Sequence, residues 1–391
     1  SNGGVYNESA TLLVNKKITI MAAEELTEKP VLTSGAADAM IEISAGLTLK
    51  GVILDGAQGA AQTKTGITNA ANTSGYNLAV QKCDFLNFSD ATGSTGFGIF
   101  GHPDAVVDSF LAKDCFFAHI VKMGISFNDP LTPTGSVNVF KVENTTFWDI
   151  SAEAIYVDGN DSDVATKDPE FYVNKVTAYN CGSYNIMAHY IDYAVIKNSI
   201  VSYPVLEVAF SPTRVYGAHS TVENFLYFNT RDIDLGSKAT DFQLINVAPQ
   251  MDPLFVNPDS GNFHYPLDSP AVLFDDDGKP IYLGDDRWWP VISGVAEAKE
   301  QTRPLQYSLT QNWPNPFNPE TTINFTLPEA GQVRLKIYNM LGEEVASLID
   351  GVVGAGRHQV KWNAADMPSG IYIYTLMSSS YAASRRMILL K

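Results

Sequence analysis

The chain has 391 residues, of which 45% are apolar and 11% aromatic, so it can form two domains with sizeable cores and is not disordered. Residues 1–290 hold 17 Lys or Arg against 35 Asp or Glu, out of a net charge of −17 for the chain, and should repel nucleic acid and anionic surfaces. No run of 18 apolar residues occurs, so the sequence predicts no membrane-spanning helix.

The first stretch, GGVYNESATLLVNKKITIMA from Gly3, enters extended structure directly, with no amphipathic helix ahead of it. The sequence opens at Ser1 without Met or a basic and apolar leader, which predicts a mature product whose leader has been removed. Three scattered cysteines, Cys83, Cys115 and Cys181, fit neither a disulfide framework nor a zinc site. We expect them to be small buried side chains.

A strand-forming phrase recurs from residue 80 to residue 229. Each copy has a β-rich start, a polar residue near its middle and then aromatic or β-branched residues. The repeat spacing is 31, 30, 31, 23 and 26 residues, which indicates a solenoid with loops of variable length. The positions taken as equivalent are Cys83, Asp114, Asn144, Lys175, Asn198 and Asn224.

A second phrase of short strands alternates with the first, and none of it has helical periodicity. The copies are GIFGH at 98, GISFND at 124, AIYVDG at 154, NIMAHY at 185, VLEVAF at 205 and DIDLG at 232. Short strands at this period, without intervening helices, predict an all-β fold: a right-handed parallel β-helix over residues 1–290. A free first coil would leave backbone groups unpaired, so head-to-tail pairing with a second copy is one expected interaction.

The rhythm of ITNAANTSGYNLAVQKCDFLNF resembles the pectate-lyase-like β-helix superfamily. The closing DPLFVNPDSGNFHYPLDSPAV (252–272), followed by YLGDDRWW, resembles the terminal coil of bacterial secreted β-helix proteins. Superfamily lyases that act on polyuronates generally combine a Lys or Arg base with an acidic calcium site. No residue-by-residue match to that motif is present, so no catalytic residue is carried over.

Aligning the second phrase places Ile99, Ile125, Ile155, Ile186, Leu206 and Ile233 inward. The next residues then form one outward column, and residues two positions further form a second. The first column is Phe100, Ser126, Tyr156, Met187, Glu207 and Asp234, and the second is His102, Asn128, Asp158, His189 and Ala209.

The two columns supply the candidate site residues. For catalysis these are His102, Asp158 and His189 as acid or base, with Arg214 or Arg231 binding a substrate carboxylate. For ligand binding they are Phe100, Asn128, Tyr156 and Glu207, and Glu207 with Asp234 is also a candidate glycosidase pair. The alternative is that these side chains are ordinary solvated polar residues. A one-residue error in the alignment would also place them on the inner face of the strand instead of the outer one.

Calcium is the one candidate metal, because two acidic loops could supply oxygen ligands. The first is DGNDSD, with Asp158, Asp161 and Asp163, and the second is DDDG at 275–278. Neither has EF-hand spacing, and solvated turns are the alternative. No motif predicts a redox or nucleotide cofactor.

Residues 291–306 read as a polar linker, and the short alternating strands beyond it predict a small antiparallel β-sandwich over residues 307–391. Prolines in NWPNPFNPE hold its entry segment extended. NWPNPFNPETTINFTLP, VRLKIYNMLGEEVASL, AGRHQVKWNA, MPSGIYIYTL and RMILLK together closely resemble the type A C-terminal sorting domain of the type IX secretion system. A generic fibronectin-like spacer is the alternative.

The sorting-domain resemblance implies export by the secretion machinery to the surface or surroundings of a diderm bacterium, where the domain is usually removed. With no catalytic motif, we expect a noncatalytic structural, self-assembling or adhesive protein. The alternatives are a polysaccharide-active enzyme, either a uronate lyase or a glycoside hydrolase, and a glycan-binding module.

Overall fold

The computed structural model shows two compact units, Ser1–Pro290 and Val291–Lys391, each built of β-strands. Among the described residues, no helix has the length and apolar character that a membrane crossing requires. The structure describes residues 3–57, 62–127, 136–158, 170–189, 191, 193–203, 211–216, 219–234, 242–275, 277–290, 307–309, 312, 315, 317–327, 330–354, 356–378 and 381–391.

The first unit is a parallel β-helix, as predicted, because every strand of its two large sheets pairs in parallel with its equivalent one coil away. The eight-stranded sheet contains β2 (Leu12–Val14), β5 (Ala39–Ile43), β8 (Thr65–Asn69), β11 (Gly96–Gly101), β14 (Lys122–Phe127), β16 (Ile155–Asp158), β18 (Ile186–His189) and β20 (Thr213–Tyr216). The fourteen-stranded sheet contains β1 (Val5–Glu8), β3 (Ile18–Met21), β4 (Val31–Ser34), β6 (Leu47–Lys50), β7 (Ile53–Asp55), β9 (Ser74–Gln81), β10 (Asp84–Leu86), β12 (Val106–Lys113), β13 (Phe116–Ile120), β15 (Ser136–Ile150), β17 (Glu170–Cys181), β19 (Ala194–Ser202), β21 (Thr221–Phe228) and β22 (Gln243–Pro249).

A residue in the left-handed backbone conformation, with positive φ, forms the corner at which each coil bends within the fourteen-stranded sheet, for example between β12 and β13. Asn and Asp tolerate positive φ because their short polar side chains bond locally, which explains the polar residue in the repeated phrase. The first copy needs a correction: Gln81 pairs with Lys113, so Lys82 and not Cys83 is equivalent to Asp114. The corner residues are Lys82, Asp114, Asn144, Lys175, Asn198 and Asn224, with φ between 49° and 56°.

The corner side chains bond to one another along the solenoid. Asn224 Nδ2 donates to Asn198 Oδ1 at 2.9 Å, and Asn246 Nδ2 donates to Asn224 Oδ1 at 2.8 Å. Each amide in this row therefore joins two coils, and the row fixes the stacking register.

Replacing Asn224 by Ala should destabilise the solenoid by about 2–3 kcal/mol. The change removes the two side-chain hydrogen bonds to Asn198 and Asn246, and alanine, unlike asparagine, has no polar side chain to stabilise the left-handed conformation at φ 50°. Asn224→Gly loses the same hydrogen bonds but accepts the backbone conformation, so it should cost less. Urea unfolding of both variants checks this. Equal losses in the two would show that the backbone conformation contributes nothing.

Aromatic stacks fill the solenoid interior. The rings of Phe85, Phe117 and Phe147 stack with centroids 4.6 and 4.9 Å apart, and all three side chains are fully buried. The three cysteines are free and buried, which confirms the expectation from sequence. Burial raises the pKa of the Cys181 thiol to about 12, so this thiol is an unreactive core group.

Glu153, in the turn before β16, is buried with 8% exposure. Burial raises the pKa of its carboxyl, against the opposing effects of Ser183 and Lys122. The folded state then holds this proton more tightly than the unfolded state, so this group's contribution to stability falls as pH rises from the ordinary Glu pKa through the raised folded value.

We therefore expect Glu153→Gln to be more stable than the wild type at pH 7, with the difference disappearing as pH falls below the ordinary Glu pKa. Urea unfolding between pH 4 and pH 8 measures this, using buffers of about constant ionic strength. A variant that is less stable than the wild type across the whole range would contradict it.

Residues 252–290 differ from the predicted terminal coil. Their described residues, all but 276, contribute no parallel strand, and contain the antiparallel hairpin β23 (Val272–Phe274) and β24 (Pro280–Tyr282) and two 3-10 turns, Pro258–Ser260 and Asp286–Trp288. Their apolar side chains pack on the outside of the fourteen-stranded sheet, so the segment covers the coils of β19, β21 and β22 instead of adding one. The reason is that the outward residues of those coils are apolar and need a cover: Ile200, Leu226 and Ala248.

Residues 284–289, which we call the clasp, fasten this segment to the sheet. The fully buried Asp285 carboxylate accepts from the Thr146 hydroxyl at 2.8 Å and from Arg287 Nε at 2.9 and 3.0 Å. Arg287 Nη2 also donates to the Cys115 carbonyl at 2.6 Å, and Trp288 Nε1 donates to Thr146 Oγ1 at 2.6 Å. Burial raises the pKa of the Asp285 carboxyl, and the bonds from Arg287 and Thr146 oppose that effect.

The second unit is the predicted antiparallel sandwich. Its lead-in contacts the sandwich through Asn312, whose N–H donates to the Tyr374 hydroxyl at 2.7 Å and whose Nδ2 donates to Thr321 Oγ1 at 2.8 Å. One sheet contains β25 (Ser308–Leu309), β26 (Glu320–Leu327) and β29 (Gly356–Asn363), and the other β27 (Gly331–Asn339), β28 (Glu344–Val353), β30 (Gly370–Met377) and β31 (Ala382–Leu389). The core between them includes Ile323, Phe325, Leu335, Ile337 and Tyr374.

Candidate functional site

The outer face of the eight-stranded sheet carries the residues that the sequence placed outward. Strand register aligns Phe100 with Ser126, Ser126 with Tyr156 and Tyr156 with Met187, as expected. The side chains between them point into the core, including Ile99, Ile125, Ile155 and Ile186.

The next coil requires a correction, because Met187 pairs with Arg214 and not with Glu207. From Ile186 to its true partner Thr213 is 27 residues, close to the coil length, whereas Leu206 is only 20 residues away. The phrase VLEVAF alternates like a strand but comes too early to complete a coil. Glu207, Leu206 and Ala209 lie outside the described residues. Asp234 does join the column, through a bridge to Arg214.

Much of this outward column is shielded from solvent. Ser126 is 2% exposed, Tyr156 5% and Met187 6%, and the half-buried Phe100 ring lies 4.7 Å from the Phe97 ring. Tyr156 was a ligand-binding candidate, yet its ring presents little surface for a sugar to stack on.

Asp158 and His189 lie directly opposite each other on β16 and β18. His189 Nδ1 is 3.2 Å from Asp158 Oδ1, and the Tyr156 hydroxyl donates to Asp158 Oδ2 at 3.0 Å. Asp158 is 6% exposed, while the His189 side chain is 17% exposed. Asp158 fixes the orientation of the His189 imidazole, which is what a catalytic acid or base needs. The same contacts also give the buried Asp158 carboxylate the hydrogen-bond partners that any buried carboxylate requires.

Arg214, on the following coil, contacts groups of the protein itself. Its Nε donates to Asp234 Oδ2 at 3.0 Å, and its guanidinium lies 4.2 Å from the centre of the Tyr184 ring. The sequence pattern did not predict the contact between Arg214 and Tyr184, because Tyr184 lies in the turn before β18 and the path of a turn is not set by strand alternation. Arg231, the alternative cation, is exposed.

His102 follows the end of β11, two coils before Asp158. Its Nδ1 accepts from the Asp104 N–H at 3.1 Å and lies 3.8 Å from the Asp104 carboxylate. Asn128, expected between His102 and Asp158, falls outside the described residues.

No group of three or more His, Cys, Asp or Glu side chains that could hold a metal ion occurs in the described part of the chain. Asp161 and Asp163, two of the calcium candidates, fall outside that part. In the other acidic loop, Asp275 Oδ1 accepts the N–H groups of Asp277 at 3.1 Å and Lys279 at 2.7 Å, so it closes the β23–β24 hairpin.

Two family models match the sequence. Residues 311–390 match the secretion system C-terminal sorting domain, and residues 4–150 match a domain of unknown function (DUF4957). The C-terminal unit is thus a type IX sorting domain, as its motifs predicted, and the chain is a secreted extracellular or cell-surface protein. No curated protein matches the chain.

Among solved structures, the chain is similar to a PL6 family alginate lyase, AlyGC, with 13% identity and a TM-score of 0.45, over 64% of this chain. It spans 40% of the length of that lyase. It is also similar to the enzymatically active domain of tailspike protein 4 from bacteriophage CBA120, with 11% identity and a TM-score of 0.28, over 97% of this chain and 63% of that one.

Proposed function

We propose that this exported chain is a noncatalytic extracellular protein, and that its β-helix is a rigid structural or adhesive scaffold. The sorting domain supplies the extracellular location. The observation that carries the rest is that the acid, base and cation candidates described on the eight-stranded sheet bond to other side chains of the same fold.

A general acid or base must reach a proton on the substrate. Asp158 is 6% exposed and uses both carboxylate oxygens on Tyr156 and His189, which favours a structural role. Arg214 already pairs with Asp234, so a substrate carboxylate would have to displace that pair. The acidic charge of residues 1–290 adds a further cost to binding a polyanion.

The decisive experiment incubates the purified full chain with alginate, polygalacturonate and hyaluronan, each with and without calcium. Release of unsaturated uronate is followed by its ultraviolet absorbance, and reducing-end release from neutral glycans is followed in parallel. We expect no product from any polymer. Turnover that disappears in Asp158→Asn or His189→Ala, with the folded structure retained, would overturn the proposal.

Self-association with a second copy is the partner interaction that we propose for this scaffold. Strand β22 pairs with β21 and with no other described strand, and its side chains Leu244 and Ile245 are each 43% exposed. A free parallel edge with apolar side chains is a surface onto which another chain can add a strand. Sedimentation velocity over a concentration series, with Leu244→Asp as the comparison, tests this. A wild type that stays monomeric at the highest concentration would contradict it.

A polysaccharide-active enzyme is the second candidate, and the Asp158–His189 pair beside Arg214 is the observation that favours it. In that case His189 would act as acid or base, and Arg214 would bind the uronate carboxylate after leaving Asp234. Calcium at Asp158, with Asp161 and Asp163, belongs to this candidate. Calorimetric titration with calcium, compared between wild type and Asp158→Asn, is expected to show no difference if the scaffold proposal is correct.

A further inference from the structure

The turn between β27 and β28 of the sorting domain exposes two adjacent apolar side chains. Met340 is 64% exposed and Leu341 83%, although most large apolar residues of the flanking strand β27 are buried. Single exposed apolar residues are ordinary on protein surfaces, so the conformation of this turn decides whether the pair has a role.

The turn is held in one conformation by the side chain of Asn339. Its Oδ1 accepts the N–H groups of Leu341 at 2.9 Å and Glu343 at 3.0 Å, and its Nδ2 donates to Glu343 Oε2 at 2.7 Å. The backbone adds Asn339 N–H to Glu343 O and Gly342 N–H to Asn339 O, both at 3.0 Å. Gly342 has φ 81°, which the turn needs and glycine supplies.

This fixed turn keeps Met340 and Leu341 away from the core of their own domain, so their apolar surface stays in water. A partner that covers them gains that apolar burial, and little backbone ordering remains to oppose binding because the turn is already ordered. Protein contacts of this kind often depend on one or two apolar side chains that enter a pocket.

The charge around the turn indicates the chemistry of the partner. Glu343 and Glu344 follow the apolar pair directly, and Glu344 bonds to Lys336 Nζ at 2.8 Å. An apolar pocket with basic residues on its rim complements this surface. The sorting domain's passage through the secretion machinery identifies the class of protein that meets it.

We propose that the turn Asn339–Glu343 is a docking element, and that a protein of the type IX secretion machinery receives Met340 and Leu341 in an apolar pocket with a basic rim. This interaction concerns export and does not depend on what the β-helix does outside the cell.

The test expresses the full chain behind an export signal in a diderm host that has type IX secretion. In the double variant Met340→Ser and Leu341→Ser, the ratio of exported to periplasmic protein should fall about tenfold, the size of effect that follows loss of a central apolar contact. Val352→Ser is the matched control, because Val352 is 79% exposed on the same hairpin but far from the turn. Its ratio should stay within about twofold of the wild type.

A folding defect is separated from a docking defect in two ways. The purified double variant should retain the wild-type circular dichroism and melting midpoint, and the conservative pair Met340→Leu and Leu341→Met should restore export. A photo-crosslinking residue at position 341 should capture a machinery protein, whereas one at position 352 should not. Normal export of the double variant, or equal crosslinking from both positions, would overturn the proposal.

Discussion

Deletion of residues 307–391 should stop export, so that the β-helix accumulates in the periplasm as a folded protein. Each hydrophobic cluster of the described residues lies within one unit, two in residues 14–283 and one in residues 309–389, so the deletion removes no core side chain from the solenoid. Fractionation into medium, surface and periplasm measures the outcome, and we expect the exported fraction to fall by more than about tenfold, as for loss of an entire recognition unit.

The converse experiment tests whether the sorting domain is sufficient for export. Residues 291–391, fused to an unrelated monomeric reporter with an export signal, should carry that reporter out of the cell. The reporter alone provides the baseline, and the double turn variant of the same fusion gives a second measure of docking. If the truncated chain were exported as efficiently as the full chain, the β-helix would have to contain an export signal of its own.

The architecture could be predicted because its determinants are local. Asn and Asp tolerate the left-handed corner, and strand alternation sets which residues face inward, so the spacing of Asp114, Asn144 and Asn198 revealed the coil length. Errors occurred where two local solutions competed. Cys83 and Lys82 differ by one position in the same phrase, and only the pairing of Gln81 with Lys113 decides between them.

The site was less predictable, because loop lengths decide which coil a side chain joins. Asp158 and His189 were correctly placed on neighbouring coils, since their phrases lie 31 residues apart. Arg214 takes the place expected for Glu207 because the coil that follows β18 needs 27 residues, from Ile186 to Thr213, and not the 20 that the phrase VLEVAF implied. The clasp was missed because Asp285 and Thr146 are separated by 139 residues, and no periodic pattern connects them.

Replacing Asp285 by Ala is the substitution from which we expect the largest loss of solenoid stability. Arg287 would keep its charge beside Cys115 and Thr146 but lose the carboxylate that it contacts. Because the Arg287 side chain is 32% exposed and keeps part of its hydration, we expect a loss of about 3 kcal/mol, the lower end of the range for a fully buried pair. Urea unfolding of the full chain, followed by tryptophan fluorescence, reports this directly, because Trp288 and Trp289 are in the clasp.

The adjacent carboxylate supplies the control. Asp286 is 43% exposed and lies 3.6 Å from Lys175 Nζ, so Asp286→Asn removes only a surface ion pair and should cost less than about 1 kcal/mol. The double variant Asp285→Ala and Arg287→Met should be no less stable than Asp285→Ala alone, because it removes the uncompensated charge as well.

The physical cause is then read from the three variants together. If Asp285→Ala and Asp286→Asn cost the same, the Asp285–Arg287 pair does not stabilise the clasp, which is then held by its other contacts with the sheet, such as the bond from Trp288 Nε1 to Thr146 Oγ1. If the double variant is much less stable than the single one, the Arg287 contact with the Cys115 carbonyl is the main stabilising interaction. We expect neither result, because Asp285 is fully buried and accepts hydrogen bonds from both Arg287 and Thr146.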